Sequence, residues 1–490
     1  MKKSEVEAPP RLPIKLDTAT NGEFAPFPLS PEVRTAKAVA MAKAEENARA
    51  LGVSRRRFLG SLCGVATTLI TLNEAFAYVG KTAGFFDLPG ASELDLELAA
   101  SHLAGDEFIF DDQTHHVNPD GPWRQRDRMW NRILPRFPQG GCGLEDAVDC
   151  FSASHYIKEL FFDSDTAMAV LSHPPAPADA NPLTTSDAAA TRALVEALDG
   201  SPRLLIQGMV LPSLPPAQSQ MDEMERMAEE WKPRSWKTFT NWGPDGGGWW
   251  LDDPKVGLPF IEKARRLGVK VIAVHKGLPF SGFDPAYSSC RDIGVVARLF
   301  PDVNFVVYHS GYDTRVPEGP YYPAAPDQGV NSLIKTLLDN GIAPNSNVYS
   351  ELGATWLIVM RNPTAAAHVL GKLLKYVGEE RLLWGTDSIW WGSPQDQIQA
   401  FRAFQIAEPT RERYGYPALT PALKRKVFGF NALSAFRVDP KDVVKKIDRD
   451  RIGRLRAAYL ENPTPSFLTY GPKTRAEFHA LRRMEGKLPG

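Results

Sequence analysis

Three of the nine histidines in this 490-residue chain close short apolar runs, and a fourth run closes on a carboxylate. The runs are Phe108–His115, Val269–His275, Phe305–His309 and Leu382–Asp387. Imidazole and carboxylate are ligand types that zinc and similar divalent ions accept. If the four ends meet, Gln113, His115, His275, His309 and Asp387 could share one metal ion although they are far apart in the chain. Side chains on a strand alternate faces, so Gln113 and His115 share one face and His116 takes the other. His116 is therefore expected to pack or hydrogen-bond rather than to join the site.

The elements needed to position these groups can be read from the same pattern. Eight strand-like runs are expected: Phe108–Asp112, Asp165–Leu171, Arg203–Leu211, Ser235–Phe239, Val269–His275, Phe305–His309, Asn347–Leu352 and Leu382–Asp387. Between the later ones lie segments with apolar residues three and four apart, at 260–267, 294–300, 330–338, 365–377 and 398–406. Gly268 and Gly378 stand where helix stops are expected. Strand and helix alternating with short connections argue for parallel strands and right-handed crossovers. Eight units without a GxGxxG point to an α/β fold, a (β/α)8 TIM barrel with loop insertions and a C-terminal helical extension. In such a barrel the C-terminal strand ends form one mouth.

Asp-x-x-x-His on the first strand, His on the fifth, His-x-Gly on the sixth and Gly-Thr-Asp on the eighth together resemble the amidohydrolase-related family of metal-dependent hydrolases and decarboxylases. Lys426–Leu433, with its Asn431-Ala432 pair, is similar to that family's closing helix. The resemblance covers about 106–438. It implies His115 and His275 as metal ligands, and Asp387 as ligand, proton acceptor or both. It implies His309 as an acid/base group beside the metal, and one divalent ion, zinc with manganese or iron as alternatives. The chain departs from the family's opening His-x-His by carrying Gln113, a weaker donor. Lys237 falls where two-metal relatives carry a carboxylated lysine, and here it is expected to be structural or to bind substrate. Trp242 and Trp390 are further expected substrate contacts, and Glu351 is expected either to bind substrate or to satisfy backbone donors.

Net charge is −1, so composition offers no electrostatic case for nucleic acid. Ser54-Arg-Arg-Arg-Phe-Leu-Gly60, a mildly apolar stretch and Ala75-Phe-Ala77 match a twin-arginine export signal with cleavage near Ala77. The expectation is a periplasmic protein that engages the twin-arginine machinery and has no stable membrane anchor. The expected divisions are 1–77 (extension and signal), 78–105 (a lead-in helix near 94–103), 106–438 (the barrel) and 439–490 (the C-terminal extension). Residues 1–35 show no core-forming pattern. Cys142 and Cys150 suit either a local disulfide or buried thiols. The Gly-rich stretch 137–150 and the Gly/Trp-rich loop 242–250 interrupt the alternation, and the latter suits a lid or substrate wall. The function expected is a metal-dependent hydrolase for a small carbonyl substrate. The alternatives are a carboxy-lyase on the same site or a binding protein that has lost the metal.

Overall fold

The computed structural model describes residues 11–461 and 463, except 200, 216, 244–246, 280–282, 448 and 449. Eight strands pair in chain order: β1 (Ile109–Thr114), β2 (Thr166–Leu171), β3 (Leu204–Met209), β4 (Ser235–Phe239), β5 (Val271–His275), β6 (Asn304–Tyr308), β7 (Val348–Glu351) and β8 (Leu382–Leu383). All seven pairings are parallel. The ring closes where Thr114 bridges Ser388, and where the Asp387 N–H donates to Gln113 O at 2.8 Å. This is the expected (β/α)8 barrel.

The strands are apolar because both their faces are covered. Phe110, Met168, Val271, Val306, Tyr308 and Leu383 fill the inside of the ring, and Leu433 and Phe436 close its lower end. Asn431 holds that closing helix in place by donating to Leu382 O at 2.9 Å and Glu379 O at 2.8 Å. Helices at Gly257–Arg266, Ile293–Leu299, Val330–Asp339 and Pro363–Lys372 stand where the periodicity predicts them. The lead-in helix is Leu96–Leu103.

Three expectations change. The eighth strand is only two residues long, because the Trp384 N–H turns to Val427 O and Asp387 adopts φ 60°. The helix expected to reach Ile406 stops at Ala403, and Phe404–Ile406 pairs antiparallel with Gly84–Phe86. The third change is the largest. Within 1–35, the described residues 11–30 are part of the core, with Leu12, Ile14, Leu16 and Phe24 buried. A helix at Pro31–Ala50 buries Ala36, Ala40, Ala44 and Ala48, one alanine per turn, and packs on the helix Leu62–Tyr78. Small residues at that spacing let two helix backbones approach closely.

Cys142 and Cys150 form a disulfide (Cα–Cα 5.8 Å), while Cys63 and Cys290 are buried free thiols. The C-terminal extension includes helices Pro440–Ile447 and Arg451–Tyr459; residues 464–490 lie outside the described set. Among the described residues no helix is long and apolar enough to cross a membrane.

Candidate metal centre

All five polar residues read from the strand ends lie at one mouth. Register irregularity between Asp111 and Thr114 marks a bulge in β1. The bulge resets the alternation, so Gln113 and His115 face inward above Phe110. His275 is the last residue of β5, while His309 and Asp387 sit just past their strands at φ 64° and 60°. Non-glycine residues in this left-handed region need surrounding structure to hold them there. Glu351 supplies it for His309, accepting the His309 N–H at 2.9 Å and the Gly353 N–H as well. Gly385 lets Glu351 approach, since a Cβ there would overlap Glu351 Oε1.

Backbone carbonyls assign the imidazole tautomers. His115 Nδ1 lies 3.0 Å from Ser172 O, His275 Nε2 3.0 Å from Leu278 O, and His309 Nδ1 2.7 Å from Gly353 O. A carbonyl only accepts, so each of these ring nitrogens carries the hydrogen. The other three nitrogens are therefore bare. His309 Nε2 faces His275 Nδ1 at 3.2 Å, and His115 Nε2 faces Asp387 Oδ1 at 2.9 Å. Lone pairs aimed at one another this closely repel unless a cation or proton lies between them. An N–H given to a backbone carbonyl with the second nitrogen free is the arrangement of metal-binding histidine. Gln113 Nε2 joins the two pairs, 3.3 Å from His309 Nε2 and 3.3 Å from Asp387 Oδ1.

Electrostatics agree. Burial pushes the His115 and His309 imidazoles down to about 3 and moves His275 well below its usual range, so all three rings are neutral. Burial raises Asp387 to about 8 and Asp111 to about 7. It also raises Glu23, Asp112 and Glu351 well above the ordinary carboxyl range. Against these carboxyls stands Lys237, which burial lowers to about 7. Its Nζ has no hydrogen-bond partner among the described residues and lies over the Tyr308 ring at 3.9 Å. Buried carboxyls outnumber the buried cation here, and a divalent ion would balance them. The donor set fits a metal.

The remaining cavity is about 20 Å³, room for about one water. Gln113, His115, Lys237, His275 and Trp390 line it, as do Trp130, Phe239 and Phe283. Trp390 stacks on His115 with ring centroids 5.0 Å apart. Of the two alternatives for Glu351 the backbone one is seen, and Trp242 lies away from the site. Glu351 is turned to backbone donors, and Trp242 packs half-buried against the outer core. The loop carrying Trp242 has its middle, 244–246, outside the described residues, while Trp249 donates to Phe239 O at 3.0 Å. His116 bonds Thr191 Oγ1 at 2.9 Å, away from the site.

The strand-end reading missed three lining residues. His173 stands two positions past β2 and was accessible to the same strand-end rule. Asn21 and Glu23 come from the N-terminal segment. Asn21 Nδ2 donates to Asp387 Oδ2 at 3.2 Å. Glu23, His275 and His309 bring ligand atoms within 4.8 Å of one another. Nothing local in the sequence signals these two.

No curated protein matches the chain. Among solved structures, 5-carboxyvanillate decarboxylase from Sphingomonas paucimobilis is 17% identical with TM-score 0.42, covering 68% of this chain and 100% of its own. The manganese-bound 5-carboxyvanillate decarboxylase from Novosphingobium aromaticivorans is 15% identical with TM-score 0.44, covering 68% and 96%. 4-Oxalomesaconate hydratase from Rhodopseudomonas palustris is 18% identical with TM-score 0.41, covering 72% and 100%. These are remote likenesses, and the chemistry rests on the site itself. The amidohydrolase family model (Amidohydro_2) matches residues 151–438, β2 through the closing helix, and the chain belongs to that family.

Proposed function

We propose that the chain is a metal-dependent hydrolase acting on a small, flat carbonyl compound. The observation that carries this reading is the convergence of three bare imidazole nitrogens, each anchored through its ring partner, beside the Asp387 carboxylate. His115, His275 and Asp387 would hold the ion, with Gln113 beside them. A zinc, manganese or iron ion held there supplies Lewis acidity to a carbonyl oxygen and acidifies water. Asp387, as a carboxylate beside the ion, would take a proton from the attacking water. His309, fixed by Gly353 O, presents a bare Nε2 to the reacting group, where it would first accept a proton and then return it to the leaving group. Trp390, Phe239 and Phe283 exclude water and hold a flat ring.

Metal analysis of the purified chain tests the reading. About one equivalent of zinc, manganese or iron is expected; below ~0.2 equivalents with no uptake on reconstitution the enzyme reading fails, and a metal-free binding protein replaces it. His309→Ala should lower turnover by about 10²-fold or more, and an unchanged rate removes His309 from proton transfer. A carboxy-lyase on the same site is the second reading, favoured by the Glu23 carboxylate lying at the histidine nitrogens. Release of CO₂, without incorporation of oxygen from ¹⁸O-labelled water, would replace the first reading with it.

Export to the periplasm is also proposed, supported by the exposed Arg56 and Arg57 of the twin-arginine motif and by the Cys142–Cys150 disulfide. Cell fractionation with N-terminal sequencing of the mature chain tests it. A chain found only in the cytoplasm ends that proposal.

A further inference from the structure

Residues 11–30 reach the barrel mouth as a strap with a single inserted tip, Asn21-Gly22-Glu23. The tip is preformed: Thr20 Oγ1 accepts the Gly22 N–H at 2.8 Å and Asn21 Oδ1 accepts the Glu23 N–H at 3.1 Å. Gly22 takes φ 95°, which favours glycine. The strap is tied on both sides of the tip. Lys15 Nζ reaches Asp396 Oδ1 and Ser393 O, both at 2.7 Å, and Trp391 Nε1 donates to Ala19 O at 3.1 Å. Phe24 stacks on Trp391 with centroids 6.5 Å apart and planes 14° apart.

What the tip delivers is a carboxyl group. Glu23 places a ligand atom within 4.8 Å of those of His275 and His309, and its carboxyl also meets Asp387 and Asn21. Asn21 at the same time covers Asp387 Oδ2. With the tip in place the cavity beside the histidines is about 20 Å³, room for about one water. A carboxylate arriving at His275 and His309 would compete with Glu23 for that position.

We infer that Asn21–Glu23 is a built-in occupant of the substrate pocket, with the Glu23 carboxylate standing where the carboxylate of an organic acid substrate binds. The strap keeps the site closed until it is displaced or removed, and cleavage near Ala77 would remove it entirely. This rests on the metal-dependent reading and deepens it: access to the site is controlled by the chain's own N-terminal segment.

The test uses the full chain, manganese-loaded and metal-free, with benzoate as probe and benzamide as its uncharged counterpart. Titration calorimetry should show benzoate binding about tenfold or more tightly to Glu23→Ala than to the unaltered chain, with a smaller gain for benzamide and metal content unchanged. Equal benzoate affinity in both chains overturns the inference. So does metal content that falls in Glu23→Ala, since Glu23 would then be a resident ligand rather than a stand-in. If Glu23→Ala does not fold, Asn21→Ala, which frees Asp387 Oδ2 and loosens the tip, should move benzoate affinity in the same direction. Failure of the metal reading shows separately, as an unaltered chain that takes up no manganese; the affinity ratio in metal-free protein then still decides the tip.

Discussion

At the scale of single residues, backbone carbonyls rather than side chains fix the tautomers of three histidines. Ser172, Leu278 and Gly353 each take one imidazole hydrogen and leave the opposite nitrogen bare. Tautomer and ring orientation are thus set before any ion binds, which reduces the ordering that binding must impose. Asp387→Asn keeps shape but removes a charge from the donor set. It should lower metal affinity by about 10-fold or more, measured by competition with a chelating dye, while thermal stability of the metal-free chain changes little. An unchanged affinity would place the ion away from Asp387. Gln113 is a milder case: a neutral amide between His309 and Asp387 adds an oxygen or nitrogen but no charge. Gln113→Glu should therefore tighten divalent binding, and the same dye titration would report it.

At the scale of elements, the strand ends carry the chemistry because the loops that follow are held from behind. Glu351 at the end of β7 is buried and holds the backbone of the His309 turn and of Gly353. Gly385→Ala would drive a methyl group into Glu351 Oε1. The expected loss is about 2–4 kcal/mol of stability, seen as a lower Tm, together with loss of the site. The 137–150 insertion packs Phe137 against Trp390 with centroids 5.6 Å apart, and its disulfide closes a loop of sequence separation 8. Such a closure contributes about 2–3 kcal/mol on the chain-entropy account, so Cys142→Ser with Cys150→Ser should lower Tm without unfolding the barrel. An unchanged Tm would mean that the insertion is held by its packing alone.

At the scale of the whole molecule, a partly buried cluster of ion pairs ties the C-terminal extension to the barrel. Arg402 is 3% exposed and bridges Glu107 at 2.9 Å and Asp165 at 2.6 Å, and Arg456 of the C-terminal helix reaches Asp165 at 2.6 Å. Burial alone would raise Asp165, but Arg402, Gln395 and Arg456 outweigh it and hold the carboxyl below its usual value. A carboxyl depressed in the folded state stabilises the fold above its unfolded pKa of about 3.9, and that contribution is lost as pH falls through the lower folded value. Acid titration of stability should show this loss below pH ~4, and Arg402→Met should remove about 1–3 kcal/mol at neutral pH by leaving Glu107 unpaired and Asp165 with Arg456 alone. A smaller cost at pH 7 with the same acid profile would show that Arg456 alone sustains Asp165.

The fold and most of the site were legible in the linear chain because both depend on local regularities. A buried parallel strand must be apolar along its length, and its chemistry must appear at its end. That made His115, His275, His309 and Asp387 visible, and the same logic would have found His173. Three things were decided only by tertiary structure. The β1 bulge aims Gln113 and His115 above Phe110, and no spacing records a pairing irregularity. The turning of Glu351 toward backbone donors depends on where β6 and β7 place His309 and Gly353, which composition does not carry. The insertion of Asn21 and Glu23 depends on a contact across more than three hundred residues. A polar turn reads the same in sequence whether it meets solvent or a buried cluster of histidines, because only the folded partner supplies the difference.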